Sequence, residues 1–547
     1  MLTKICLYWH TLRYLKFSQL YERLKFKIHR QIPNTSSPPE LNSRSGIWRV
    51  NISRPSSLVG PQEFIFLGEA GFLDDCGWDG PSKGKLWRYN QHYFDDLNAS
   101  FAARRYKWHL SLLENWVKSN PPVTGVGWDS YPTSLRIVNW IKWASSGSDL
   151  PASCIKSLAI QARYLAKRIE WHLLGNHVLA NAKALVFAGL FFKGDESDNW
   201  LGLGLSILED ELQEQILQDG GHFERSPMYH ALILEDLLDL IAASQVWPGR
   251  IDTSVINDWK ILAERMLFWL SKMMHPDGQI TLFNDAAFNI AAAPRELFFY
   301  ANFLGIEFDD SILNANPAVY LLNESGHIRL KHGSADAFLD VAPVGPDYLP
   351  GHAHADTLSF ELSIMKQRIV VNGGTSTYAV GVDRTRERQT RSHSTVEIDG
   401  LSSSEVWDAF RVARRAYPFN LTVSSNESEV LVGCSHNGYA RMKGKPIHHR
   451  EWLMSKQNLT VSDWVIGGNY KSIARFILHP SIMVRADDSH NWYLCAPDGK
   501  RVLLRVITGR SFIESAAYAP EFGKVIETNC IAIEMQHGQS HAKFEWE

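Results

Sequence analysis

The stretch Gly351–Phe360 reads GHAHADTLSF and sets His352, His354 and Asp356 within five residues. Imidazoles transfer protons near neutral pH and ligate metals through a neutral nitrogen. A nearby carboxylate either adds charge to a metal site or orients a histidine. On a strand, His-x-His points both side chains to one face. From these residues alone, metal ligation, acid/base work and the closing of a strand end all stay open.

Three further clusters carry similar residue types. LLGNHVLANAKAL places Asn176 and His177 after the helix-breaking Gly175, where a helix cap belongs. LQDGGHFERSPMYHALILEDLL gathers His222, Glu224, Arg225 and His230 around Ser226-Pro227, a helix-start signal. Tyr229 then falls in the first turn, where the helix dipole favours a phenolate and lowers the pKa. Downstream, VVNGGTSTY brings Asn372 and Tyr378, and RSHSTVEIDG brings His393. His354 and His393 are candidate metal ligands. Between and beyond these landmarks lie Arg384, Arg386, Arg388, Arg391, Arg411, Arg414 and Arg415, which argue for an anionic substrate.

Two kinds of element must position these groups. From about residue 90 to 310, runs such as TSLRIVNWIKWAS and MYHALILEDLLDLIAASQVW repeat apolar residues at helical spacing between short turns. Past about 320 the period becomes two, in runs such as LSFELSIM, NLTVSDWVIG and RVLLRVITG. Helical hairpins followed by an antiparallel sandwich are expected, with the cleft between the two halves. The expected divisions are 1–90, a basic helix and wrapping segment; 91–320, the helical domain; and 321–547, the β-sandwich.

Composition narrows the function. A chain of 547 residues exceeds a single core, and 45% hydrophobic with 21% charged residues suits a folded protein. A formal charge of -3 gives no global field for nucleic acid. The 19 tryptophans suit sugar stacking, although burial is their more usual use. The six scattered cysteines show no zinc-ribbon spacing and read as free thiols. The opening MLTKICLYWHTLRYLKFSQLYERLKFKIHR is basic and aromatic, without the apolar run and small-residue site of a secretory signal. It is expected to be a helix packed on its own domain, an amphipathic helix touching a membrane or partner being the alternative. No segment reaches the roughly 18 apolar residues of a membrane span.

Taken in order, GNHVLANAKAL, GGHFERSPMYH, GPDYLPGHAHADTLSFEL, VNGGTSTY and RSHSTVEIDG resemble the heparinase II/III family of polysaccharide lyases. DGLSSSEVWDAFRVARRA resembles the branch found among bacterial surface-polysaccharide and exopolysaccharide proteins. The resemblance implies an incomplete (α/α) toroid joined to a β-sandwich and β-elimination at a uronic acid. It implies that Asn176 and His177 bind the uronate carboxylate, that Tyr229 serves as acid and base, and that His352 is base or assistant on the other face. It makes His222, Glu224, Arg225, Tyr378 and Arg388 candidate substrate contacts. His354, Asn372 and His393 fall where some members hold a structural metal, zinc or calcium, with Asn372 replacing an aspartate. Asp356 is expected to orient a histidine. Two other readings stay open: a non-catalytic polysaccharide-binding protein of surface-polysaccharide assembly, and a metal-dependent glycan hydrolase.

Overall fold

The computed structural model describes residues 2–28, 32–49, 52–307, 318–488 and 490–547. The chain opens with a helical hairpin, α1 (Leu2–Leu12) and α2 (Phe17–Ile28). A wrapping segment follows, with a three-stranded meander between Leu58 and Phe72. Then come α3 (Lys85–Tyr93), α4 (Tyr106–Ser119), α5 (Ser130–Ser145), α6 (Ala152–Leu165), α7 (Asn176–Phe191), α8 (Asp195–Gln215), α9 (Pro227–Val246), α10 (Thr253–Lys272) and α11 (Pro294–Phe303).

Helices α7 and α9 are apolar nearly all round and almost entirely buried, as a central stave must be. Their few polar residues are paired. Lys183 of α7 reaches Asp236 (2.7 Å) and Asp239 (2.6 Å) of α9. Asp239 also accepts from Lys142 of α5 (3.0 Å) and Tyr300 of α11 (2.8 Å). One buried carboxylate thus ties four helices, and charge pairs at such depth are costly to break.

The change from helix to strand falls between Phe303 and Ala318, so the first strand begins before residue 321. Strands β1 (Ala318–Leu322), β2 (His327–His332), β3 (Ala335–Asp340), β4 (Phe360–Ile364) and β5 (Gln367–Val370) form one antiparallel sheet in the order 5-4-3-2-1. An eight-stranded antiparallel sheet spanning Pro418–Glu545 and a four-stranded sheet complete this half. β3 and β4 are buried along their whole length, yet their alternation survives. Phe338 packs with Trp269, Met273 and Phe283 of the helical half, while Ala337 and Leu339 join Trp452 in the sandwich core. Glu361 and Ser363 likewise face His275, at 3.0 and 2.7 Å. The five-stranded sheet is therefore the middle layer between helices and sandwich. This is the toroid-plus-sandwich architecture expected from the change of period.

Two local expectations change. Gly351–Ser359 is a loop, and the strand begins only at Phe360. The shared direction of His352 and His354 therefore has another cause than the pleat. The N-terminal segment does pack on its own chain, but not through its apolar stripe. Its contacts are Tyr8 edge-on to Trp407 (4.9 Å), Lys16 to Glu214 (2.6 Å), Gln19 to the Tyr348 carbonyl (3.2 Å) and Phe26 against His172 (4.1 Å). All six cysteines are free thiols.

Candidate active site

The cleft is assembled where the first turns of α7 and α9 meet two loops, 273–293 of the helical half and 351–357 of the β half. Ser226 caps α9 by accepting from the Tyr229 N–H (3.2 Å), and Pro227 opens the helix. This fixes Tyr229 in the first turn. Its ring lies against His352, with centroids 4.0 Å apart, and its hydroxyl is 3.1 Å from that of Tyr378. The helix dipole does not set the phenol's pKa. Burial, then Tyr378 and Asp285, push it well above the usual tyrosine value.

Asp285 organises this cluster. It is fully buried in the segment FNDAAF, and its backbone N–H donates to the His352 carbonyl (2.9 Å). Its Oδ2 lies 2.9 Å from His352 Nδ1 and its Oδ1 lies 2.8 Å from His354 Nε2. Arg384, also fully buried, holds the same carboxylate with both terminal nitrogens, Nη2 at 2.7 Å. Burial works against this charge, but Arg384 and the two histidines outweigh it and hold Asp285 well below the usual carboxylate range. An ionised carboxylate only accepts hydrogen bonds. His352 therefore carries its proton on Nδ1 and His354 on Nε2. The second nitrogen of His352, Nε2, is turned to Glu224, whose Oε2 is 3.8 Å away, and Nδ1 of His354 is left within the fold. One aspartate sets two tautomers of opposite sense.

Opposite His352, Asn176 and His177 form the first turn of α7. His177 Nδ1 lies 3.1 Å from Glu170 and its ring packs against Tyr131 (4.7 Å). Burial opposes its charge, but Glu170 prevails and raises its pKa. With 29% of its side chain exposed, it is a hydrogen-bond donor open to solvent, biased towards its protonated form by Glu170. Glu224 is buried against the backbone of Asn176, and burial raises its pKa. Gly175 sits at φ 58, ψ -143, a conformation other residues resist, and a Cβ there would run into Leu349. Gly175→Ala is expected to cost about 1–3 kcal/mol and to displace the Asn176–His177 turn. Differential scanning calorimetry should show the lower midpoint, and substrate titration a higher KM.

The structure gathers Asn176, His177, Glu224, Tyr229, His352 and Tyr378, and it places other expected contacts elsewhere. His222 is fully buried and bound to Gln215 (3.0 Å), held neutral by burial. Arg225 donates to the carbonyls of Ser325 (3.0 Å), Pro343 (3.2 Å) and Glu324 (3.4 Å). Arg388 is fully buried and donates to the carbonyls of Ala353 (2.9 Å) and Asp408 (3.2 Å), so it braces the His352 loop from behind. Arg414 and Arg415 pair with Glu405 (2.6 Å) and Asp347 (2.7 Å). Arg384, Arg388 and Arg415 are thus internal braces, whereas Arg386, Arg391, Arg411 and Arg414 keep contact with solvent. Asp356 orients no histidine; it accepts from the Asn284 N–H (3.0 Å), and Asp285 takes the expected role. The one sequence signal for Asp285 was a polar Asn-Asp pair inside an apolar run.

His354 Nδ1, the Asn372 amide and both ring nitrogens of His393 are buried without a hydrogen-bond partner. The two imidazole rings are 5.2 Å apart, and Gly373, next to Asn372, donates to the Ser392 carbonyl beside His393 (3.0 Å). Asn372 also lies near Glu361 without a well-formed bond to it. Burial lowers His354 to about 4 and His393 to about 3, so both are neutral, the ligating form. Among the described residues, no three His, Cys, Asp or Glu side chains converge as a ligand set. The donor set is two imidazoles and a neutral amide, which fits a weakly held divalent cation.

Comparison with known proteins places the chain. Residues 90–303 match the model of the heparinase II/III N-terminus, and residues 314–547 match the heparinase II/III-like C-terminal model. The chain belongs to the heparinase II/III family. Among curated relatives, the heparin-sulfate lyase of Pedobacter heparinus is 26% identical over 265 residues, 44% of this chain and 38% of that protein. The FtsZ-localized protein C of Caulobacter vibrioides is 27% identical over 354 residues, 62% of this chain and 57% of that protein. The alignment spans well under half of the heparin-sulfate lyase. Among solved structures, heparinase III aligns with a TM-score of 0.67 at 17% identity, covering 84% of this chain and 76% of its own. The heparan sulfate lyase of Pedobacter heparinus, in a mutant form, aligns with a TM-score of 0.61 at 19% identity, covering 96% and 87%. The heparinase II/III fold thus extends over nearly the whole chain.

Proposed function

We propose that the protein is a polysaccharide lyase that cleaves a uronic acid-containing, glycosaminoglycan-like polymer by β-elimination. The observation that carries this reading is the Tyr229–His352 pair, with ring centroids 4.0 Å apart, brought together with Asn176 and His177 around Glu224. In β-elimination a base removes the proton at C5, negative charge grows on the adjacent carboxylate, and an acid protonates the leaving glycosidic oxygen. His177 and Asn176, at the positive end of α7, suit the carboxylate, and donors aimed at developing charge are the largest single catalytic term in many enzymes. Tyr229, held protonated by burial, suits the leaving oxygen. His352 Nε2, freed by the Nδ1 bond to Asp285, suits proton abstraction. The family membership and the heparin-sulfate lyase relative support the same reading.

A retaining or inverting hydrolase would need two working carboxyls. Asp285 is locked by Arg384 and two histidines, and Glu170 is held by His177, which leaves Glu224 as the site carboxyl without a hydrogen-bond partner among the described residues. The test is incubation with a panel of uronic acid polysaccharides while following the ultraviolet absorbance of the unsaturated product. New reducing ends without that absorbance would sink the lyase reading in favour of a hydrolase. Tight binding with neither product would favour a polysaccharide-binding role.

His354, His393 and Asn372 would hold one structural cation, zinc or calcium. Bound there, it would lock the His352 loop to the strand after Ser392 and supply no group to the reaction. Metal analysis of purified protein should find up to one equivalent, and chelator should lower the thermal midpoint. Asn372→Asp, which restores an anionic donor, should retain the metal through chelator concentrations that strip the parent. Equal retention by parent and variant would argue against this ligand set.

A further inference from the structure

The N-terminal hairpin is amphipathic the wrong way round for a helix packed on a core. In α1, Ile5, Trp9 and Leu12 fall at i, i+4 and i+7, and all three are exposed, Trp9 by 67%. In α2, Phe17, Tyr21, Leu24 and Ile28 continue the same spacing, and all four are exposed, Phe17 by 82%. An apolar stripe at helical spacing normally faces the interior. Here the opposite side of each helix meets the body, through Thr11 of α1 and through Gln19 and Phe26 of α2. Exposed apolar stripes of this kind mark interaction surfaces.

We infer that α1 and α2 lie in the surface of an anionic lipid bilayer. The charge on the same helices selects this occupant. Besides Lys16, which pairs with Glu214, residues 2–28 carry Lys4, Arg13, Arg23, Lys25 and Lys27 against the single acid Glu22. Apolar and aromatic residues flanked by cations are what an interfacial helix presents to anionic headgroups. A second copy docked on this face through a two-fold contact would bring two equally basic surfaces together. Helices of 11 and 12 residues are too short to span a bilayer, so they lie in its plane. The hairpin is fastened to both halves of the protein, at Trp407 and at His172, and Lys16 sits over the Tyr348 ring in the segment leading to His352. Lipid-bound helices therefore hold the cleft beside the membrane surface. This inference does not depend on the lyase reading.

The experiment is co-sedimentation of the full chain with vesicles of phosphatidylcholine alone or mixed with phosphatidylglycerol, at low and high salt. Binding to the mixed vesicles is expected, weakening as salt rises. Trp9→Ser/Phe17→Ser/Leu24→Ser should weaken it by at least about tenfold, since their apolar area would no longer be buried. Lys25→Gln/Lys27→Gln should weaken it by about tenfold or more. These side chains are exposed, so both variants should keep the parent's thermal midpoint. A chain that stays in the supernatant with anionic vesicles overturns the inference, as does a triple-serine variant that binds them undiminished. Self-association of the parent that the serine variant abolishes, without vesicle binding, would assign the face to a second copy instead.

Discussion

Tyr229→Phe is expected to abolish product formation while leaving the fold intact. The substitution removes one oxygen whose recorded side-chain hydrogen-bond partner is the Tyr378 hydroxyl, 3.1 Å away. The ring, with its stacking on His352, stays in place. A positioned proton-transfer group contributes roughly 10²–10⁴ in rate. Because Tyr229 would serve the leaving oxygen, the loss should appear in kcat with KM little changed. Steady-state rates from the absorbance of the unsaturated product give the first quantity, and a binding titration with the intact polymer gives the second. Retention of more than about a tenth of the parental kcat would remove Tyr229 from the reaction. A parallel His352→Ala variant should bind polymer but leave the C5 proton in place, visible as no exchange of that proton with deuterated solvent.

Asp285→Asn is expected to damage both stability and activity. The amide cannot balance Arg384, which is fully buried and would keep an uncompensated charge. Breaking a buried pair from one side costs about 3–5 kcal/mol. An amide also has one accepting oxygen where the carboxylate has two, so His352 and His354 cannot both keep their present tautomers. Calorimetry and the product assay on the same preparation separate the two effects. Asp285→Asn/Arg384→Met removes the stranded charge and should recover much of the stability, since apolar replacement of a buried pair is often neutral. Activity should stay low, because Nδ1 of His352 remains without its carboxylate. If the double variant regains activity along with stability, Asp285 is only a packing element.

Much of the architecture is legible in the sequence, because hydrophobic period is a local property. The change from helical spacing to alternation marks the two halves, and Ser226-Pro227 marks the start of α9 almost to the residue. The chemistry-bearing types at Asn176, His177, Tyr229 and His352 also stand out, each beside a glycine or proline turn. The arginines misled for a physical reason. A guanidinium in a charge-rich loop reads as solvated, and only the folded chain shows that Arg384 and Arg388 are fully buried on a carboxylate and on carbonyls. Asp285 was illegible because its partners lie 67, 69 and 99 residues away.

Side-chain types and their spacing dictated which faces are apolar, roughly where helices give way to strands, and which residue types can exchange protons or hold a cation. These follow from side-chain chemistry and the fixed periods of helix and strand. Tertiary structure alone decided what covers each face and what neutralises each charge. It turned the apolar stripes of α1 and α2 outward, although their spacing is that of core helices. It also assigned the two histidines of GHAHADTLSF to different tasks through a single carboxylate from the other half of the molecule. Both outcomes depend on how distant segments approach one another in space, and no local periodicity encodes that.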